Sequence, residues 1–466
     1  MPAKLRPVPE MNTLNFRKTL SMPALLKKVR DCFSHIKDAR ATYRYSLTDI
    51  LMSGLAIFSL KYASLLEFDH KREEKLVKHN LFNLYGIIST PCDSQLRNVL
   101  DKVNPYDLRP ATLKIIQEVQ KQGLLESYRY LDGFIVAIDG TGLFSSGKVH
   151  CKECGIKNHK NGSKTFYHQL LVSAIVNPDT NIVLPLLHEA ITHQDGSTKN
   201  DCEQNAAKRL IPDLKKSFPR LNMIIVEDAL SGNAPHIKLL QEQGFSFIIR
   251  AKYGSQKSLF NTAQEVMMNT LSKKWKSSDN RETYDEFEKE VIIKNKKGIE
   301  GYRFFNHLSL NKSNKEIKVN FLEYWEVDEN GKEKNFSWVT DITLSRDNVY
   351  HVMRAGRSRW KVENETFNTL KNLGYNLEHN YGHGKKHLST VFATLTMLAF
   401  LIDQVQELSC HVFNAAKNKF YSKVSFWHKI SGLFLAHYIK DWHVFYFSII
   451  YGNKGNILKP NYPNTS

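Results

Sequence analysis

A chain of 466 residues with 42% hydrophobic content can bury a sizeable core in two to four domains, and 65 Lys and Arg against 47 Asp and Glu leave it at +18. That excess points to a polyanionic partner, nucleic acid first. Six cysteines without the spacing of a disulfide framework exclude a disulfide-stapled secreted scaffold and favour a reducing compartment. The first residues lack the apolar core of a signal peptide. The longest greasy stretch, Val391 to Ile402, is too short for a bilayer and is stopped by Asp403. The expectation is a soluble cytoplasmic protein, with no membrane partner and a buried helix at that stretch.

Residues 1–130 read as a helical amino-terminal region. Ser46-Leu47-Thr48-Asp49 resembles a capping box, and Leu47, Ile50, Leu51, Leu55 and Phe58 share one face behind it. A second helix begins between Pro91 and Ser94 and carries Leu96, Val99, Leu100 and Val103. Short basic helices in series fit plain packing and also a helix-turn-helix reader of DNA. From about 131 the pattern turns to strands: Phe134 to Ile138 ending at Asp139, then Tyr167 to Val176, then Ile182 to Leu187. A helix from Asp201 to Lys216 follows. Met223 to Val226 is a strand leading through Asp228 into a helix from Ala234 to Gln243, which Gly244 stops. Phe245 to Arg250 is one more strand. This alternation marks a mixed α/β core over 131–254 and 345–395. Residues 255–344 read as a β-rich insertion, with Asn330-Gly331 as a hairpin signal. Ser345 is placed to cap a helix running to Phe367, and residues 396–466 read as a carboxy-terminal helical region.

Three acids stand out in that layout. Asp139 and Asp228 each close an apolar strand, where side chains of open α/β sheets meet ligands; Glu363 lies on the later helix. Singly they are unremarkable: an Asp-Gly turn, a helix cap and an exposed charge. Together, two strand acids and one helix acid can hold a pair of hard cations that clamp the attacking and leaving oxygens of a phosphoryl displacement. Arg359 precedes Glu363 by four residues and shares its face. Arg357, Arg359, Lys361 and Lys371 make that helix basic, as a phosphate-tracking surface would be. Glu365 is a rival for the metal role but points about 200° away around a regular helix.

These residues carry a resemblance. The chain resembles bacterial insertion-sequence transposases of the DDE class, in the group with a Tyr-Arg-Glu-Lys signature around its glutamate. Arg359 and Glu363 match that signature; Gly356 stands at its Tyr position and Leu370 at its Lys position, with Lys371 one residue late. Longer blocks around Asp139, Glu227 to Ile237 and Glu363 to Lys371 also resemble one subgroup of these elements. The resemblance implies a ribonuclease-H-like catalytic core with a β-rich insertion, flanked by helical regions. It implies Mg²⁺ or Mn²⁺ on Asp139, Asp228 and Glu363, and nicking of double-stranded DNA at terminal inverted repeats. Strand transfer of the freed 3′-hydroxyl into target DNA would follow, carried out by a homodimer. It also implies DNA contacts from Arg250 and Lys252. The competing expectations are a stand-alone Mg²⁺-dependent nuclease and an inactive or regulatory end-binding protein.

Three lesser signals remain. Cys151-Lys152-Glu153-Cys154 is a CxxC pair with His150, His159, His168, His193 and Cys202 within reach, and Cys151, Cys154, His168 and Cys202 form a candidate zinc set. Asp195, Lys199, Asn200, Asp201 and Glu203 make a polar block that could supply a fourth carboxylate or be a plain surface loop. The segment His379 to His387 is basic, aromatic and glycine-bearing, and could stack on DNA.

Overall fold

In the computed structural model, which describes residues 18–191, 202–277, 290–295, 298–452 and 459–460, the amino-terminal region is helical. It holds α1 (Met22–Ser34), α2 (Leu47–Ser59), α3 (Leu65–Lys71), α4 (Lys75–Tyr85), α5 (Asp93–Leu100) and α6 (Arg109–Lys121). Ser46 caps α2 as its sequence suggests, accepting from the Asp49 backbone N–H at 3.0 Å. The Asp49 carboxylate does not close the box; it accepts from Arg30 at 3.2 Å and from the Ser89 N–H at 3.3 Å. Almost all of α2 is buried, not one face of it, so α2 cannot serve as a groove-reading helix.

The sheet forms next, from β1 (Arg129–Tyr130), β2 (Gly133–Ser146), β3 (Gly155–Asn158), β4 (Lys164–Asn177) and β5 (Thr180–Ile191). After α7 (Glu203–Ser217) come β6 (Met223–Glu227), α8 (Ala234–Glu242) and β7 (Ser246–Ala251). β4 runs antiparallel to both β2 and β5, whereas β6 runs parallel to β2 and β7 parallel to β6. β6 is buried at every position from Met223 to Glu227, and α7 and α8 make the crossovers that its parallel pairing requires.

The segment read as a β-rich insertion differs from expectation at its start. It opens with a helix, α9 (Lys257–Ser277), before β8 (Glu290–Asn295), β9 (Gly298–Asn311), β10 (Asn314–Asp328) and β11 (Glu333–Thr340). Its strands, in addition, join the core: β11 pairs antiparallel with β7, so they extend the central sheet to eleven strands, a pairing the sequence does not indicate. The Asn330-Gly331 hairpin joins β10 to β11 as expected.

The chain returns through α10 (Val349–Arg357), a π-helical turn (Val362–Phe367) and α11 (Asn368–Asn372), in place of one continuous helix. Asn348, not Ser345, stands at the start of α10; its carboxamide accepts the Ser345 N–H at 2.9 Å. The rest is α12 (Leu388–Ser409), α13 (His411–Lys417), α14 (Lys423–Ala436), β12 (His437–Tyr438), α15 (Trp442–Tyr451) and β13 (Lys459–Pro460). The boundary drawn at 395 falls inside α12, and Asp403 does not stop that helix. An 18-residue window of α12 is 89% buried by the protein itself. Inside, Asp403 pairs with Lys61 at 2.8 Å and accepts from the Tyr375 hydroxyl at 2.6 Å. That pair fastens the amino-terminal helices to α12.

Candidate active site

β6 accompanies β2 only from Phe134 to Ala137, whereas β4 continues alongside β2 to Ser146. Asp139 therefore lies just past the end of β6, on a strand with one flank released. It is not in an Asp-Gly turn: β2 runs on through it, and its Oδ1 accepts the Gly140 N–H at 3.0 Å. Asp228 directly follows the last residue of β6 and accepts the Leu230 N–H at 2.9 Å, capping a short 3₁₀ turn. The next helix is capped by Asn233 instead, through the His236 N–H. Glu363 sits in the π-helical turn with its side chain 63% exposed. Such turns widen a helix locally and recur at functional sites.

Arg359 joins these elements. Its Nη1 donates to Asp139 Oδ2 at 2.5 Å, and its Nη2 lies 3.8 Å from Glu363 Oε2. Asp228 and Glu363 both act electrostatically on Asp139. Burial pushes the Asp139 carboxyl above its ordinary value; Arg359 and the Gly140 N–H oppose that, and the charges of Asp228 and Glu363 reinforce it. The three acids thus share one field, although their oxygens do not all lie within 4.8 Å of one another.

Glu203, on the first turn of α7, is a fourth carboxylate here. A Cβ on Gly140 would lie 2.2 Å from Glu203 Oε1, so only glycine lets the acid approach β2. Burial, then the charges of Asp139, Asp228 and Glu227, push the Glu203 carboxyl up. The polar block had suggested such an acid; Asp195, Lys199, Asn200 and Asp201 from it lie outside the described residues, as does His193. Beside Asp228, the buried Glu227 is held by His236 Nε2 at 2.5 Å. Burial lowers the affinity of His236 for its proton, but the Glu227 charge and hydrogen bond outweigh it.

A cleft of about 510 Å³ opens beside these acids, lined in part by Asp228, Arg250, Lys252, Arg357, Arg359 and Trp360. Arg250 and Arg357 both lie over the Phe336 ring, 4.5 Å and 4.9 Å from its centre. Burial, with repulsion from Arg359 and Arg357, lowers the Arg250 pKa. Arg357 also donates to Glu326 at 3.2 Å.

Two of the basic residues expected to meet DNA do not line this cleft. Lys361 is only 4% exposed and spends its ammonium on the Thr180 carbonyl at 2.7 Å and Asn181 Oδ1 at 3.0 Å. Lys371 is paired with Glu378 at 2.7 Å. Both departures from the glutamate signature have packing causes. A Cβ on Gly356 would come within 2.5 Å of Trp338 Nε1, so the helix could not lie this close to β11 with a tyrosine there. Leu370 is fully buried. Glu365 acts on Lys361 and is partly buried.

The CxxC pair does gather ligands, but not the set expected. Cys151, Cys154, His168 and His383 place one donor atom each within 4.8 Å of one another, the one such group of three or more among the described residues. Cys202 is exposed at the start of α7 and is not in it. His150 instead stacks on Phe166, and His159 bonds Thr165. His383 comes from the segment read as a DNA-stacking loop, which is packed down. Tyr381 is buried with its hydroxyl on the Tyr62 carbonyl at 2.8 Å, and the Lys385 to Leu388 N–H groups all point to the Asp101 carboxylate. No local pattern could have found His383, which is 229 residues from Cys154.

Residues 130–401 match the family model described as a transposase DDE domain. The chain belongs to that family. It is a DDE-type transposase, and the matched span contains Asp139, Asp228, Glu363 and the whole cleft. No curated protein matches the chain. Among solved structures similar to this transposase is a piggyBac transposase synaptic complex with hairpin DNA, determined by cryo-EM. The two share 11% identity, with 96% of this chain and 84% of that one covered and a TM-score of 0.37. A likeness this distant says nothing about the site.

Proposed function

We propose that Asp139, Asp228 and Glu363 form the metal-binding triad of this transposase. The reaction we assign is hydrolytic cleavage of the phosphodiester at the ends of a mobile element, followed by strand transfer of the freed 3′-hydroxyl into target DNA. One observation carries the reading: Arg359, in the turn after α10, binds Asp139 on β2 and reaches toward Glu363, while Asp228 directly follows the adjacent strand. The donor set suits the group. Carboxylate oxygens are the ligands Mg²⁺ and Mn²⁺ prefer, and burial, reinforced by the neighbouring acids, raises the Asp139 and Glu203 carboxyls, as befits carboxylates gathered in one pocket. A bound pair of such ions would polarise the scissile phosphate and stabilise the attacking and departing oxygens.

The protein's own groups do the rest. Arg250, Lys252 and Arg359 line the cleft beside the acids and would neutralise the DNA backbone there. Glu227, held by His236, fixes the strand end from which Asp228 projects. We read β5, β4, β2, β6 and β7, antiparallel then parallel, as a ribonuclease-H-like core, with β8–β11 as an insertion that broadens it. Double-stranded DNA bearing the element's inverted repeats, and target DNA, are the substrates of this proposal. A homodimer holding two ends in a bacterial cytoplasm is its setting.

The test uses end-bearing DNA, a target plasmid and Mg²⁺. Wild type should nick at the ends and join them to the plasmid, while Asp228→Asn and Glu363→Gln should bind the ends without cutting. Cutting by either variant at the wild-type rate would sink the triad. Cutting without joining would leave a nuclease.

A further inference from the structure

We propose that Cys151, Cys154, His168 and His383 bind a zinc ion, forming a structural clip between the β2–β4 hairpin and the loop that returns from the Glu363 segment. The inference goes beyond the cleavage reading and does not depend on it. Zinc in a closed tetrahedral site sits about 2.3 Å from sulfur and about 2.0–2.1 Å from nitrogen. Tetrahedral angles then separate two sulfurs by about 3.8 Å and a sulfur from a nitrogen by about 3.6 Å. Here Cys151 Sγ is 3.6 Å from Cys154 Sγ and 3.2 Å from His168 Nε2. Cys154 Sγ is 3.3 Å from His168 Nε2 and 3.6 Å from His383 Nδ1.

The surroundings suit a structural ion. Cys154, His168 and His383 are buried, which leaves no open position for a substrate. Two thiols and two imidazoles are a soft set that selects zinc over magnesium. The Cys151 N–H donates to Cys154 Sγ at 3.3 Å, a bond that favours the thiolate. His168 faces Phe144 across the β2–β4 ladder, and the Phe144 ring packs edge-on to His383 with centroids 4.3 Å apart. His383 Nε2 has no hydrogen-bond partner among the described residues, so the thiol side is the polar anchor of that buried ring. The hairpin also needs such a clip: between Ser146 and Lys164 it holds only the four residues of β3 as regular structure. A metal can supply the stability that so small a segment cannot draw from a core.

The test is metal content, not cleavage. Full-length protein purified with reductant should carry one equivalent of zinc by elemental mass spectrometry. Replacement by Co²⁺ should give the intense visible absorption of a tetrahedral thiolate site. Cys151→Ser and His383→Ala should lose most of the bound metal, whereas Cys202→Ser should keep it. A chelator should lower the melting temperature of wild type and leave that of His383→Ala unchanged. If Cys151→Ser does not fold, the wild-type cobalt spectrum and His383→Ala decide. The clip is overturned if reduced wild type, supplied with equimolar zinc, binds none, or if His383→Ala retains it fully. Loss of metal from Cys202→Ser would overturn this ligand set.

Discussion

The carboxylate cleft and the thiol–imidazole cluster lie in the same domain, yet they are built on opposite terms. In the cluster, four donors already meet within 4.8 Å and are mostly buried. In the cleft, the acids stand further apart, Glu363 is largely exposed, and Arg359 occupies the space between two of them. Thiols and imidazoles can be packed together before an ion arrives. Ionised carboxylates repel, so without cations they separate or borrow a guanidinium. Under the two proposals, the preassembled site serves structure and the open one serves catalysis.

The largest effect should come from Asp139→Asn. Cleavage of end DNA in Mg²⁺ is expected to fall by about 10³-fold, the equivalent of several kcal/mol of lost charge stabilisation, with end binding within about twofold of wild type. An unimpaired rate in a single-turnover cleavage assay would erase the contrast. Arg359→Ala comes next: DNA affinity should drop about tenfold, and the slope of log K against log salt should shrink by about one, as for one lost phosphate contact. Titrations at several salt concentrations measure both, and an unchanged slope would confine Arg359 to holding Asp139. Lys361→Met, two residues away, should leave DNA binding untouched. It should cost about 1–2 kcal/mol in urea unfolding, since the Thr180 carbonyl loses its buried donor; weakened DNA binding would return Lys361 to the interface.

The smallest effect concerns pH. The folded Glu203 carboxyl is raised by burial and by its acidic neighbours. A carboxyl raised on folding contributes stability at acid pH that is lost as pH rises through its folded pKa. Without divalent ions, Glu203→Gln should therefore melt higher than wild type at neutral pH and equal to it near pH 4. The gap should be only about 1–2 °C, because half the group faces screening solvent. Melting curves across that range, with an equal or lower neutral value for the variant, would remove Glu203 from the acidic field.

Much of this layout was legible along the chain. Apolar runs located β2, β4, β5, β6 and β7, and the Asn330-Gly331 turn located the β10–β11 hairpin, because such runs and turn chemistry are local properties. The spacing of Arg359 and Glu363 announced a shared face, which survives in a π-helical turn. Misreadings arose where distant packing overruled a local signal. The basic look of Lys361 hid a buried ammonium, and the exposed look of 379–387 hid a loop bound to Asp101 and Tyr62.

By itself, then, the amino-acid sequence determined the acids, their strand and helix settings, the basic balance and the CxxC pair, all of which depend on residue type and near neighbours. Only the tertiary structure decided that Glu203 joins the acidic field, that His383 rather than Cys202 completes the thiol cluster, and that Gly356 yields to Trp338. Each of those is a contact between residues far apart in the chain. Such contacts follow from how whole elements pack, and no short-range pattern records them.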